Sequence, residues 1–252
     1  MEPAHGELRL PRILANRHIL FLDKKASSSG AVKPPLARDL LEFYTVDQLR
    51  THFLSLSLGD RSVSFRPKPL NPTADPREPD PVLKDASLLS NSFNRAARSC
   101  FYAAQKHFDS RLPVGPVSPD VRERCETAVL DYEDAMAAYE FHRAIGAADS
   151  LIRETNQRWS RENPYSDECE PGIRQQAIID GFHMVRTAAV LMHPVAPDGT
   201  EMIREYLQVG EILWNWERIF EPLSALVERP EDHRLKFLAP RVDFFEKLPS
   251  QV

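Results

Sequence analysis

The 252-residue chain has little cysteine, no excess of positive charge and no long apolar run. Its three cysteines, Cys100, Cys125 and Cys169, form no C-x-x-C pair. That spacing excludes a zinc site of the usual kind, and an odd, sparse set fits a reducing compartment better than a disulfide scaffold. A net charge of -5 excludes a generally polyanion-coating protein. It leaves room for a local basic face, for which Arg95, Arg98, Arg153, Arg158 and Arg161 are the candidates. Nowhere do about 18 apolar residues run together, and the N-terminus shows no basic start followed by an apolar stretch. Neither a membrane span nor a secretory leader is predicted, and a cytoplasmic location is expected. No internal repeat is visible. His183, His193 and His233 have no Cys, Asp or Glu at ligand spacing, and nothing pairs a nucleophile with a base.

What is present is ordinary globular material, 42% apolar and 27% charged, enough for one large or two small domains. Residues 13–23 form a short apolar run suited to a buried strand or hairpin. A serine-rich loop follows up to Pro34-Pro35. Leu36, Leu40, Leu41 and Tyr44, then Val46, Leu49, Phe53 and Leu56, fall at helical spacing and predict two short helices. Between Arg66 and Pro81 six prolines in sixteen residues preclude a helix interior or central strand, so an extended linker is expected there.

Beyond it the pattern is helical. A long amphipathic stretch runs from Val82 to Asp109, and a second follows a turn at Leu112–Pro119, capped by Ser118 or Asp120. Gly146 is read as a junction before a third helix ending near Glu162. Pro171-Gly172 opens a fourth, and Thr200–Leu207 forms a fifth after the break at Pro194 and Pro197. Long helices with short polar connections predict an antiparallel bundle. Three parts are expected: 1–65, the linker 66–81, and the bundle with its tail, 82–252.

Two stretches carry the sharpest chemistry. Asn94-Arg95-Ala96-Ala97-Arg98 sets an amide and a guanidinium four residues apart, on one helix face. Asn156 to Tyr165 ends in a Pro164-Tyr165 step that must leave its helix. Amide, guanidinium and protruding aromatic are the groups that read splayed RNA bases. Together with Lys25-Ala26-Ser27-Ser28-Ser29-Gly30, their order resembles the C-terminal half of the class I methionyl-tRNA synthetases.

The resemblance runs from about residue 13 to the end and implies a mostly α protein. In it, an anticodon-binding helix bundle follows a small α/β remnant of the catalytic domain. It implies tRNA as partner, with Asn94, Arg98, Pro164 and Tyr165 contacting the anticodon. Tyr165 stands where the family usually has tryptophan. Lys25, Ser27, Ser28 and Ser29 match the family's mobile ATP-phosphate loop, but its second lysine is here Ser28. A neutral hydroxyl cannot replace a cation facing developing phosphate charge. The family's nucleotide-binding motif, which precedes this loop, has no counterpart in the two dozen residues before it; His18-Ile19-Leu20-Phe21 lacks the glycine and second histidine. The chain alone is therefore expected not to use ATP or activate an amino acid. The alternatives are a fragment of a functional methionine-tRNA ligase, a subunit partnered by a synthetase catalytic chain, or a helical interaction module without RNA binding. Asp47 and Arg50, in a segment resembling the family's stem-contact element, are expected to pair on a solvated face.

Overall fold

The computed structural model describes residues 13–25 and 33–251. Serines 27, 28 and 29 lie outside them. The chain is mostly helical, with one small three-stranded sheet. Strand β1 (Ile19–Phe21) pairs antiparallel with β2 (Lys24–Lys25) and parallel with β3 (Val63–Phe65). The expected hairpin is thus completed by a third strand from beyond two short helices, α1 (Ala37–Leu40) and α2 (Val46–Ser55). Phe21, Leu40, Tyr44, Leu49 and Phe65 close a small core. Its sixth buried member is Val82, from the far side of the proline segment.

That segment is anchored at its end. Asp80 caps α3 (Pro81–Ser87) through the amides of Val82 and Leu83, while its second oxygen accepts from the Tyr44 hydroxyl at 2.6 Å and from the Lys68 amide at 3.0 Å. Pro81 sits at the first helical position, where its missing N–H costs nothing.

Helix α3 runs through a π turn (Leu88–Phe93) into α4 (Asn94–Phe108). The wider turn lets the Ser90 carbonyl accept from the Asn94 side chain at 3.1 Å. Asp109, left-handed at φ 51°, stops α4. Helices α5 (Pro119–Ala137), α6 (Phe141–Glu162) and α7 (Pro171–Met192) follow, with α8 (Pro197–Leu207) after the Pro194 break. The junction before α6 lies at Tyr139, with φ 62°, and Gly146 is inside the helix. Ser118 occupies the cap position of α5 without a side-chain cap bond; its amide donates to Asp180 at 2.9 Å.

Helix α7 is the centre of the bundle. It is buried on every side from Ala177 to Met192, with Asp180, His183, Arg186 and Thr187 among the covered residues. Helices α4, α5 and α6 pack on it. Gly181 marks a close approach: a Cβ there would come 2.9 Å from both Cys100 Sγ and a Trp159 ring carbon. The tail is a series of 3₁₀ turns pinned by a residue that no sequence motif marks. Arg186, fully buried on α7, donates to the carbonyls of Arg218 (2.6 Å), Ile219 (3.0 Å) and Glu221.

Asp47 and Arg50 do not pair with each other on a solvated face. Asp47 is 5% exposed and accepts from the Gly199 and Asp198 amides at the start of α8, at 2.9 and 3.3 Å. Arg50 donates to the carbonyls of Val195 (3.0 Å) and Pro194. The carboxylate has found a helix N-terminus and the guanidinium the carbonyls of the preceding turn. Both clamp the small N-terminal unit to the bundle. Among the described residues no helix is long and apolar enough to cross a membrane.

Candidate nucleic-acid interface

Asn94 is turned inward, not towards solvent. At 2% exposure, it donates to the Phe245 carbonyl at 3.1 Å and accepts from the Phe245 amide at 3.0 Å. Asn156 faces inward too, donating to the Ser92 carbonyl at 2.8 Å and so tying α6 to the π turn. Both amides satisfy backbone groups that burial would otherwise leave costly. The spacing that sets an amide and a guanidinium on one face is real. What it could not show is that this face meets the C-terminal segment.

Arg98 lies at the edge of that contact, its side chain 31% exposed. It bonds Asp243 at 2.7 Å and sits 5.6 Å from the Tyr102 ring centroid. Burial works against its charge, yet the Tyr102 hydroxyl and Asp243 carboxylate hold its pKa above the usual value. One and two turns further along α4 come Tyr102 and Lys106, so Arg98, Tyr102 and Lys106 form a stripe.

The end of that stripe meets the loop between α6 and α7. Asn163, left-handed at φ 45°, stops α6, Pro164 is buried, and Tyr165 stands 48% exposed. Lys106 Nζ lies 4.4 Å above the tyrosine ring and donates to its carbonyl at 3.0 Å, while His107 meets the ring edge-on. Lys106 also pairs with Asp167 at 2.9 Å, and that hydrogen bond holds the Asp167 carboxyl below the usual carboxylate range. The loop is held from behind by Arg174, which donates to the carbonyls of Pro164 (3.2 Å), Ser166 (2.8 Å) and Cys169 (2.8 Å). One guanidinium thus satisfies backbone groups along the loop and fixes how the ring is presented. Nothing in the sequence marks Arg174; its partners are set by the loop's path.

The local basic face is largely neutralised. Arg153 pairs with Asp149, and Arg158 with Asp120, Asp180 and Glu162. Arg161 lies 3.9 Å from Glu162. Asp180 is fully buried, so Arg158 is part of the packing that joins α5, α6 and α7. Arg95 donates to Ser160 and has no carboxylate partner among the described residues. Arg98 and Tyr165 approach one surface from opposite ends of α4; from Arg98 to Lys106 is about 12 Å at ~1.5 Å per residue. Lys25 is on β2 and exposed. Among the described residues no group of three or more His, Cys, Asp or Glu side chains is placed to hold a metal ion.

No protein-family model matches the chain. It is 28% identical, over 261 aligned positions, to a methionine–tRNA ligase of Halalkalibacterium halodurans, spanning 96% of this chain and 36% of that protein. A methionine–tRNA ligase of Bacillus cereus is 21% identical over 213 positions, 84% of this chain and 37% of the relative. One of Haloarcula marismortui reaches 32% over 128 positions, half of this chain. The chain thus spans little more than a third of the length of the first of these curated relatives. Among solved structures, Mycobacterium tuberculosis methionyl-tRNA synthetase bound by methionyl-adenylate superposes with a TM-score of 0.72 at 19% identity, covering 92% of this chain and 43% of that one. Its apo form gives 0.64 at 18% identity, covering 83% and 40%. The chain is related to the methionyl-tRNA synthetases and shares the fold of their helical region.

Proposed function

We propose that this chain is a cytoplasmic tRNA-binding protein that recognises an anticodon loop and does not itself activate an amino acid. One observation carries the reading: an exposed aromatic ring, Tyr165, on a loop locked by Arg174, with Lys106 and His107 against it. Such a ring offers a stacking face for one unpaired base, held before the RNA arrives. Arg98, at the other end of the stripe, supplies a donor fork for a base edge or phosphate once it exchanges Asp243 for RNA. Asn94 serves as the brace beneath it. The relatives named above are tRNA ligases, which favours tRNA as the nucleic acid. The proposal that ATP is not used rests on Ser28, which puts a hydroxyl where the resembled loop has a lysine. Titrating purified chain with several tRNAs, beside Tyr165→Ala, tests the reading; a parent that binds none of them overturns it.

Two other readings have an observation each. Because the chain spans only 36% of its Halalkalibacterium relative, it could instead supply one part of a functional ligase, working with a synthetase catalytic subunit. ATP-pyrophosphate exchange with methionine, absent alone and gained on adding such a subunit, would favour it. The carboxylates on Arg98, Arg153 and Arg158 favour a protein-interaction module without RNA binding.

A further inference from the structure

The C-terminal ends of α5 and α7 and the first turns of the tail line an open pocket of about 420 Å³. Its walls are aromatic: Tyr132, His193, Trp214 and Trp216, over a floor that includes Val190. Trp214 and Trp216 both line it, each packed on a different aromatic neighbour. His193 lies flat on Trp214, centroids 3.9 Å apart and planes 13° off parallel. Trp216 leans against Tyr132 at 6.1 Å and 38°, and remains 37% exposed.

Each indole N–H is turned to a carboxylate and fixed there. Trp214 Nε1 donates to Glu201 at 3.0 Å, and Trp216 Nε1 donates to Glu133 at 2.7 Å. These bonds run through the ring edges and occupy no π face, the negative side of an aromatic ring; His193 covers one face of Trp214, and Trp216 is the more exposed ring. Glu201 is already neutralised by Arg204 at 2.6 Å. Glu133 is exposed, lines the cavity, and has no cationic partner among the described residues. Glu217, next to Trp216, is also exposed and unpaired there. No Lys or Arg is among the described residues lining the cavity, and the neighbouring Arg218 is committed to Glu221 and the Ala225 carbonyl. Indole, imidazole and phenol faces with an uncompensated carboxylate at the rim attract a cation from two directions.

We propose that this aromatic cage receives an arginine side chain of a basic partner polypeptide. The flat, weakly hydrated guanidinium stacks on an indole while its N–H fork reaches the free oxygen of Glu133. A lysine ammonium, more strongly hydrated and without a stacking plane, fits the same cage less well. A polypeptide suits it better than a small cation because the attraction continues past the cavity. Glu217 and the exposed ring of Phe220, 41% accessible, follow Trp216 along the tail and give the residues flanking the arginine something to meet. This surface is separate from the α4 stripe and does not depend on RNA binding.

The test uses tryptophan emission of the full chain carrying Trp159→Phe, so that the signal comes from Trp214 and Trp216. Titration with an end-capped hexa-arginine peptide should give a saturable change. Binding should weaken by at least about tenfold with Glu133→Gln, and with Trp216→Ala read through a labelled peptide. Trp216→Phe, which keeps a π face, should retain most of it, and hexalysine should bind several-fold more weakly. Glu133 is an exposed side chain, so its variant decides the matter even if Trp216→Ala disturbs the tail. The proposal is overturned if the parent shows no saturable response, if Glu133→Gln binds like the parent, or if hexalysine binds equally well. Free arginine amide or guanidinium binding as tightly as the peptide would equally overturn a polypeptide occupant.

Discussion

Asn94 and Phe245, 151 residues apart, exchange two hydrogen bonds as a strand pair would: amide to carbonyl at 3.1 Å and backbone N–H to side-chain oxygen at 3.0 Å. The asparagine behaves as a fragment of backbone that lets an irregular C-terminal segment dock on a helix. Removing it leaves the Phe245 N–H and carbonyl buried without those partners. Asn94→Ala should therefore lower stability by about 2–4 kcal/mol, read from urea unfolding. Should the variant unfold like the parent but lose tRNA affinity, Asn94 contacts RNA after all.

Tyr165 and Arg98 separate the two ends of the proposed interface. Tyr165→Ala should weaken tRNA binding by roughly 1–3 kcal/mol, because it removes a stacking face, while Tyr165→Phe keeps it. Arg98→Ala should weaken binding more for tRNAs of one anticodon if it reads a base. If it meets only phosphate, the loss should be uniform and the salt slope should shrink by about one unit or less. Filter binding over a salt series distinguishes these. Equal affinities for the parent and both variants would leave the interface elsewhere.

Arg174 bears on how the ring is held. Arg174→Ala frees the carbonyls of Pro164, Ser166 and Cys169, so the loop should open to protease faster than the parent, while the bundle's melting changes little. It should also weaken tRNA binding, though its own side chain faces the loop's backbone. Unchanged cleavage at residues 163–170 would show that Lys106 and packing suffice.

The proline segment offers a test of how the chain is divided. Residues 71–79 are mostly exposed, whereas Asp80, Tyr44 and Val82 bind its far end into the small core. Cleavage there should yield two pieces that co-elute on gel filtration, held by Asp47 at the start of α8 and Arg50 on the Pro194 turn. In Asp47→Ala/Arg50→Ala protein the pieces should separate, leaving a folded bundle. Pieces that part from the unsubstituted chain would mean that these clamps contribute little.

His183 gives a pH dependence of defined sign. Burial, with repulsion from Arg186 and Arg122, lowers its pKa from 6.5 to about 4, and both ring nitrogens lack hydrogen-bond partners. Between those values the unfolded chain takes up a proton that the folded chain refuses, so stability falls as pH drops from about 6.5 towards 4. The full effect is about 3 kcal/mol. His183→Leu should remove that part of the slope, making the variant relatively more stable at pH 5 than at pH 7.5. Identical pH profiles for parent and variant would rule out His183 as the source.

The sequence by itself determined the helices and their order, because 3.6-residue apolar periodicity and proline breaks are local properties. Pro171-Gly172 marked the start of α7, and Pro164-Tyr165 an exit from α6 with an aromatic at its tip. Tertiary structure alone decided which polar residues face outward. Asn94, Asn156 and Arg158 look like surface groups in one dimension, yet each is used by a segment distant in sequence: the Phe245 backbone, the π turn, and buried Asp180. Asp47 and Arg50, three apart, looked like partners for each other and instead found α8 and the Pro194 carbonyls. Helical periodicity reports which face of an element is apolar. Which other element satisfies a particular donor or acceptor depends on how the chain returns, and no local pattern records it.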